Sequence, residues 1–89
     1  MQTSSEALVE LPAGVDLHAR PAADFVRTAM GFSSDVTVIA GEREADAKSL
    51  LGILALGAKR GTTLRLRADG DDADAALDAL CSCVAGLTE

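Results

Sequence analysis

The sequence predicts an α+β fold, an open-faced sandwich in which a four-stranded antiparallel sheet carries three helices on one face. Apolar residues alternate with polar ones in four short segments and recur at helical spacing in three others, in the order β-α-β-β-α-β-α. The strands carry polar residues on one side, so one sheet face should meet water and the other should meet the helices. A chain of 89 residues that is 48% hydrophobic and 25% charged has globular proportions, and we expect one domain over residues 1–89.

A strand and a helix open the chain. Residues 7–11 alternate weakly between apolar and polar types, and the segment Pro12-Ala13-Gly14 ends this strand. A helix is predicted from about Arg20 to Met30, because proline at position 21 suits a first helical turn and Gly31 suits a C-cap. Its apolar positions follow the spacing i, i+3, i+4, i+7 and i+8: they are Ala22, Phe25, Val26, Ala29 and Met30.

A hairpin and a short apolar helix occupy the middle of the chain. Residues 36–40 alternate as a second strand, and a turn at Gly41 leads to a short polar strand over 43–45, which should form an exposed sheet edge. Ser49 and Gly57 are a suitable N-cap and stop for a helix of about two turns. Because this helix is apolar nearly all round, it is either fully buried or open on one side for a partner.

The last third combines the clearest strand with the last helix. Residues 62–67 alternate with leucines on one side, and Asp69-Gly70 forms a turn. A helix follows from about Asp72 to Ala85, and Gly86 can end it. Its predicted apolar face consists of Ala73, Ala76, Leu77, Leu80 and Val84.

Composition excludes several classes of function. A net charge of −6 and only two aromatic residues argue against a nucleic-acid binder, which needs cationic surface and stacking platforms. The longest uncharged runs, 49–58 and 79–88, are too short to span a bilayer, and no secretory signal precedes them, so we expect a cytoplasmic protein without membrane insertion. Cys81 and Cys83 point in different directions on a helix and are interpreted as reduced packing residues. We expect neither a metal site nor a cofactor.

The segment Leu17-His18-Ala19-Arg20-Pro21 carries the chemistry. His18 is the single histidine in the sequence and stands at the predicted start of the first helix. There, unpaired backbone N–H groups and the helix dipole favour an anion, and the guanidinium of Arg20 suits phosphate geometry. A histidine, an arginine and a helix start are the parts needed to hold a phosphoryl group on a nitrogen. A surface ion pair is the alternative role for Arg20.

Two separated motifs resemble the histidine-containing phosphocarrier protein HPr of the bacterial sugar phosphotransferase system. The first is L-H-A-R-P-A-A followed by F-V, and the second is A-K-S-L-L-G-I-L-A-L-G followed by G-T-T-L. The resemblance covers nearly the whole chain in order. It implies a monomeric HPr-like open-faced sandwich that is a phosphoryl carrier rather than an enzyme.

The resemblance also implies a relay and its residues. His18 matches the histidine that accepts a phosphoryl group on Nδ1 from phospho-enzyme I, which takes it from phosphoenolpyruvate, and passes it to the EIIA domains of sugar permeases. Arg20 matches the arginine that pairs with this phosphate. Ser49 matches a serine phosphorylated by a dedicated HPr kinase/phosphorylase, and a transcriptional regulator is a further implied partner. For Ser49, a helix N-cap is the structural role expected in any case.

The short second helix is expected to dock partners. By resemblance, Leu50, Leu51 and Leu54 match the apolar docking face around the serine. Arg27 and Lys48 are candidates for steering a partner electrostatically, although a solvated surface is the ordinary role for such side chains.

One residue departs from the family pattern. The family usually has Gly-Leu-His or Gly-Ile-His, whereas this chain has Asp16 before Leu17 and His18. If the backbone needs positive φ there, Asp serves less well than Gly, and its charge would repel an incoming phosphoryl group. A regulatory binding module with impaired transfer is therefore the second hypothesis. An enzyme using His18 as a general base is the third, with no second catalytic group to support it. Within the carrier hypothesis, a nitrogen-regulatory or dihydroxyacetone branch is an alternative to sugar uptake.

Overall fold

A computed structural model describes residues 4–87, which form four strands and three helices. The elements in chain order are β1 (Ser4–Glu10), α1 (Ala19–Met30), β2 (Asp35–Ala40), β3 (Arg43–Asp46), α2 (Leu50–Leu56), β4 (Thr63–Asp69) and α3 (Ala73–Ala85). The predicted element order and α+β class are confirmed. Within residues 4–87, no helix has the length and apolar character needed to cross a bilayer.

The sheet has the strand order β1-β4-β2-β3, and every neighbouring pair is antiparallel. β4 is central, because Leu66 pairs with Ala7 of β1 on one side and with Val38 of β2 on the other. The predicted exposed edge is confirmed for β3, which is short, polar and paired only with β2. β1 forms the opposite edge.

One face of the sheet is buried beneath the helices. Leu64, Leu66 and Ala68 of β4 and Val36 and Val38 of β2 are almost inaccessible to solvent. The helical residues buried with them are Pro21, Ala22, Phe25, Val26 and Ala29 of α1, Ile53 and Leu56 of α2, and Ala73, Ala76, Leu77, Leu80 and Val84 of α3. The other sheet face is open, as the alternation in the strands predicts.

Two details of the helices differ from or refine the sequence prediction. Met30 was predicted on the apolar face of α1 but is 65% exposed, because it is the last helical residue and lies beyond the buried stripe. The helix α2 is not fully buried: Ile53 and Leu56 face the core, and the other side is open. Cys81 and Cys83 are half-buried, form no disulfide and pack against the core, which confirms their predicted packing role.

A carboxylate joins the α1–β2 connection to the start of α3. Asp72 accepts hydrogen bonds from the backbone N–H groups of Ser33 and Ser34, both at 2.9 Å, and from both serine hydroxyls. The Ser34 hydroxyl and then the Ser33 amide are the main causes that lower the pKa of Asp72 to about 2. Ser34 is buried, so its polar groups need these bonds.

Gly70 makes this connection possible. It has φ +147°, and a Cβ atom at this position would lie 2.8 Å from Cα and 2.9 Å from Cβ of Ser34. No side chain fits there without moving the backbone of the α1–β2 connection.

We predict that the Asp72→Asn variant loses stability in a pH-dependent manner. The lowered pKa means that the ionised carboxylate stabilises the fold fully above its ordinary value of 3.8, and that this contribution disappears as the pH falls to about 2. In urea unfolding, wild type should be more stable than Asp72→Asn at pH 7, and the difference should close at acid pH. The matched control is Asp78→Asn, which removes the same charge from an exposed position of α3. A gap that stays constant down to about pH 2 would contradict this role.

We predict that Gly70→Ala costs about 2–3 kcal/mol of unfolding free energy, from backbone strain and overpacking together. Gly61→Ala is the control, because Gly61 also has positive φ (+78°) but nothing lies within 4 Å of its added Cβ. That variant should lose only about 1 kcal/mol. Urea midpoints measure both, and equal losses would show that contact with Ser34 is unimportant.

Candidate functional site

His18 lies immediately before α1, as the sequence predicts. It is the N-cap residue, with extended backbone angles of φ −109° and ψ −164°, and its side chain is exposed. Its carbonyl oxygen accepts the first helical hydrogen bond from the Ala22 amide at 2.8 Å. The imidazole makes no capping hydrogen bond to the helix. The His18 side chain therefore does not cap the first amide donors of α1, and a helix start of this kind favours an anion.

The loop before His18 is anchored to the segment that follows α2. Leu17 is buried, and its amide donates to the Ala58 carbonyl at 2.9 Å. The His18 amide donates to the Asp16 carbonyl at 2.9 Å. These bonds fix the direction in which the chain enters α1, and so the direction in which His18 leaves the surface.

Asp16 bonds to the same segment with its side chain. Its Oδ1 accepts the Arg60 backbone N–H at 2.8 Å and lies 3.5 Å from the Arg60 Nε. The Arg60 amide is the main cause that lowers the pKa of Asp16, and the charges of Arg60 and His18 add smaller contributions. Among residues 4–87, positive φ occurs only at glycines. Asp16 is therefore unstrained, and the glycine usual in the family is not required for backbone geometry here.

Arg20 lies in the first turn of α1 and is exposed. Together with Arg27 and Thr28 it lines a shallow groove between α1 and the C-terminal end of α3, where Ser82 and Cys83 form the opposite wall. Arg27 lies 3.3 Å from Asp24, but both side chains are at least half exposed, so this pair contributes little to stability. Asp24 also lines the groove and pairs with Arg27, so the positive charge of the groove is partly offset there.

Ser49 is the N-cap of α2, as predicted. Its hydroxyl oxygen accepts the Gly52 amide at 3.1 Å. A Cβ at Gly52 would lie 3.1 Å from that oxygen and 3.3 Å from the Ala45 side chain, so glycine lets the first turn of α2 sit close to β3. The serine is half-buried at the rim of the exposed side of α2.

The exposed side of α2 consists of leucines. Leu50, Leu51 and Leu54 are 41%, 81% and 36% exposed, which is unusual for three large apolar side chains on one short helix. Lys48, just before the helix, donates from Nζ to the Phe32 carbonyl at 2.8 Å and is half-buried. This contact joins the start of α2 to the end of α1.

Sequence reasoning missed the partners of Asp16, Asp72 and Lys48. Asp16 and Arg60 are separated by 44 residues, and Asp72 and Ser34 by 38. A single sequence carries no signal for such pairs, because each partner is an ordinary polar residue in a loop. The Lys48–Phe32 bond ends on a backbone carbonyl, which every residue possesses.

Fold and site together define a class of protein, a small open-faced sandwich that presents an exposed histidine and an arginine at a helix N-terminus. The family model of the HPr component phosphorylation site of the phosphotransferase system matches residues 4–85. The chain belongs to the HPr family, and this supports a phosphocarrier role in the phosphotransferase system.

Relatives and a solved structure are similar to this protein over most of the chain. Phosphocarrier protein HPr of Haemophilus influenzae is 43% identical over 79 residues, which cover 89% of this chain and 93% of that protein. Phosphocarrier protein NPr of Shewanella violacea is 42% identical over 82 residues, 92% and 90% of the two chains. The crystal structure of HPr-C-His from Thermoanaerobacter tengcongensis superposes with a TM-score of 0.87 at 41% identity and covers 91% of each chain.

We predict that Ser49→Ala lowers the free energy of unfolding by about 1 kcal/mol, because the Gly52 amide loses its capping partner. Ser49→Asn should retain most of the stability, since its side-chain oxygen can still cap the helix. Urea unfolding at neutral pH measures the difference. If Ala and Asn variants were equally stable, the hydroxyl would not be acting as a cap.

Proposed function

We propose that the protein accepts a phosphoryl group on His18 from phospho-enzyme I, which is loaded from phosphoenolpyruvate, and passes it to EIIA domains for sugar uptake. The observation that carries this proposal is the exposed imidazole at the N-cap of α1 with Arg20 in the first turn. Such a cycle takes place in the cytoplasm and uses residues 1–89 as a single monomeric domain. Family membership supports the general role, and the geometry supports the choice of residues.

The transfer step is a substitution at phosphorus in which His18 is the entering group. The lone pair on the acceptor nitrogen of His18, Nδ1 by family resemblance, forms a new N–P bond while the bond between phosphorus and the donor atom of phospho-enzyme I breaks. The donor atom leaves with the electron pair of that bond. The phosphoryl group on His18 is passed to the next protein by the same kind of substitution.

The charge on the phosphoryl group is met by groups at the helix start. The first amides of α1 are hydrogen-bond donors at the helix start that follows His18, and the guanidinium of Arg20 is a cation two residues after it. His18 and Arg20 are both exposed, so water screens these interactions and keeps them moderate. Moderate stabilisation suits a carrier, because a tightly held phosphoryl group would not be released.

The docking surface in this proposal is the open side of α2. The exposed leucines 50, 51 and 54 supply apolar contact area. Arg27, in the groove between α1 and α3, supplies a cation for an acidic partner that also contacts α1. Lys48 contributes positive charge at the start of α2 while its ammonium stays bonded to the Phe32 carbonyl. Enzyme I and EIIA domains would use this surface in turn.

Ser49 is the proposed regulatory site, modified by an HPr kinase/phosphorylase and recognised by a transcriptional regulator. A phosphate on its hydroxyl adds about −1.5 to −2 charges at the start of α2, where a helix tolerates negative charge. The fold should survive, but the leucine surface beside it becomes anionic. Docking of an acidic partner would then weaken.

A second candidate is a carrier of the nitrogen-regulatory branch. The observation that favours it is the Shewanella violacea relative, which is named NPr and matches this chain nearly as well as the HPr of Haemophilus influenzae does. Both candidates use the same histidine and the same chemistry. Loading rates with the enzyme I proteins of the two branches would separate them.

We predict that phosphoenolpyruvate and enzyme I convert this protein into an acid-labile, base-stable phosphoprotein, and that His18→Ala abolishes the label. Arg20→Ala should slow loading by about 10- to 100-fold, less than for a fully buried oxyanion donor because Arg20 is exposed. Ser49→Ala is the control and should still be labelled. Label on His18→Ala, or none on wild type with an enzyme I that loads another HPr, would refute the proposal.

A further inference from the structure

The loop between β1 and α1 lies along the segment between α2 and β4 and is bonded to it at three places. Near β1, the Leu11 amide donates to the Thr62 carbonyl at 2.9 Å, and the Gly61 amide donates back to Leu11 at 3.2 Å. Next to His18, the Leu17 amide donates to the Ala58 carbonyl at 2.9 Å. The third bond joins the Asp16 carboxylate to the Arg60 amide.

The Asp16 bond differs from the other two because it uses a side chain. The bonds of Leu11 and Leu17 join backbone groups, so they do not depend on the type of side chain. The bond to the Arg60 amide does, because its acceptor is the side chain of residue 16. The side chain of Asp16 is about one-third exposed, so the bond is formed at the edge of the site rather than in the core. Removing it should loosen the loop locally and leave the core packed.

The position of Asp16 connects this bond directly to the reactive residue. Its carbonyl oxygen accepts the His18 amide at 2.9 Å, and its carboxylate binds Arg60 on the other side of the loop. Asp16 therefore connects the segment after α2 to the N-cap of α1 through its carboxylate and its carbonyl oxygen. The backbone angles of His18, and with them the direction in which its side chain leaves the helix start, are constrained by this link.

The negative charge of Asp16 is partly balanced by Arg60, which reduces its repulsion of a phosphoryl group. Its carboxylate accepts the Arg60 amide at 2.8 Å, and the Arg60 Nε lies 3.5 Å away. A neighbouring cation and a hydrogen-bond donor offset much of the negative field that this carboxylate would otherwise direct at a phosphoryl group on His18. The carboxylate that breaks the family pattern is thus accommodated by a residue on another loop.

We propose that Asp16 is a positioning residue for phosphoryl transfer, which orients the His18 imidazole by binding the Arg60 amide. This inference rests on the proposed function of His18. It assigns to Asp16 a favourable effect on transfer, whereas its charge and position alone suggest an unfavourable one.

The test uses the full chain and compares Asp16→Ala with Asp16→Asn. Ala removes the acceptor for the Arg60 amide, while Asn keeps a side-chain oxygen in its place. For loading by phospho-enzyme I, Asp16→Ala should lower kcat about tenfold, because small misplacements of a reacting group are costly. Its KM should stay within about twofold, since the leucine surface is untouched. Asp16→Asn should recover most of kcat.

The matched control is Asp72→Asn, which weakens another carboxylate–amide connection at the far end of α1. That helix has 12 residues and is therefore about 18 Å long. Asp72→Asn should lose stability with kcat unchanged, when loading is measured well below the melting temperatures of all variants. A purely structural role for Asp16 would give the same pattern in Asp16→Ala, and that result would overturn the inference.

A second phosphoryl donor separates failure of this inference from failure of the proposed function. Phosphoramidate transfers its phosphoryl group to an imidazole without enzyme I, and Asp16→Ala should react severalfold more slowly than wild type with Asn restoring the rate. If wild type reacts with phosphoramidate but not with enzyme I, the proposed donor is wrong while this comparison still decides the role of Asp16. Equal rates for wild type and Asp16→Ala with phosphoramidate would overturn the positioning role, whatever enzyme I does.

Discussion

The antiparallel pairing of β1 with β4 is the contact on which the position of His18 depends. It runs from Ser4 opposite Asp69 to Glu10 opposite Thr63, and it continues past the strand ends through the Leu11–Thr62 bond. Because side chains alternate across a strand, a slip of β1 by one residue would turn Ala7 and Val9, which pack against the core, toward water. The same register brings the loop before α1 alongside the segment after α2. The geometry of the site therefore depends on the register of the sheet.

Two carboxylates fasten the loops at opposite ends of α1. Asp16 binds the Arg60 amide near the start of the helix, and Asp72 binds the amides of Ser33 and Ser34 just beyond its end. In both cases hydrogen bonds to the ionised form lower the pKa of the carboxyl group. Helix α1 is therefore held by polar contacts at both ends in addition to its buried apolar stripe. The backbone at the N-cap is therefore anchored by hydrogen bonds although the side chains of His18 and Arg20 are exposed.

The strands, the helices and the residues at their ends could be predicted from the sequence. The contacts between loops could not. Periodicity predicted the order of strands and helices because burial on one face imposes a repeat of two or 3.6 residues. Ser49 was predicted as a cap because the bond to Gly52 is local. Met30 was misplaced because the repeat continues to the last residue of α1 while the core ends earlier. The contact between Asp16 and Arg60 could not be predicted, because no local sequence pattern relates positions 16 and 60.

The pairing of β1 with β4 also has a consequence for biosynthesis. β1 leaves the ribosome well before β4, its sheet partner, because the two strands lie far apart in the chain. Contacts between distant segments form slowly, because the intervening chain must be closed into a loop first. Until β4 has been translated, β1 has no neighbour and the loop before α1 has nothing to lie against. A nascent or truncated chain can thus contain His18 and all of α1 and still lack the assembled site.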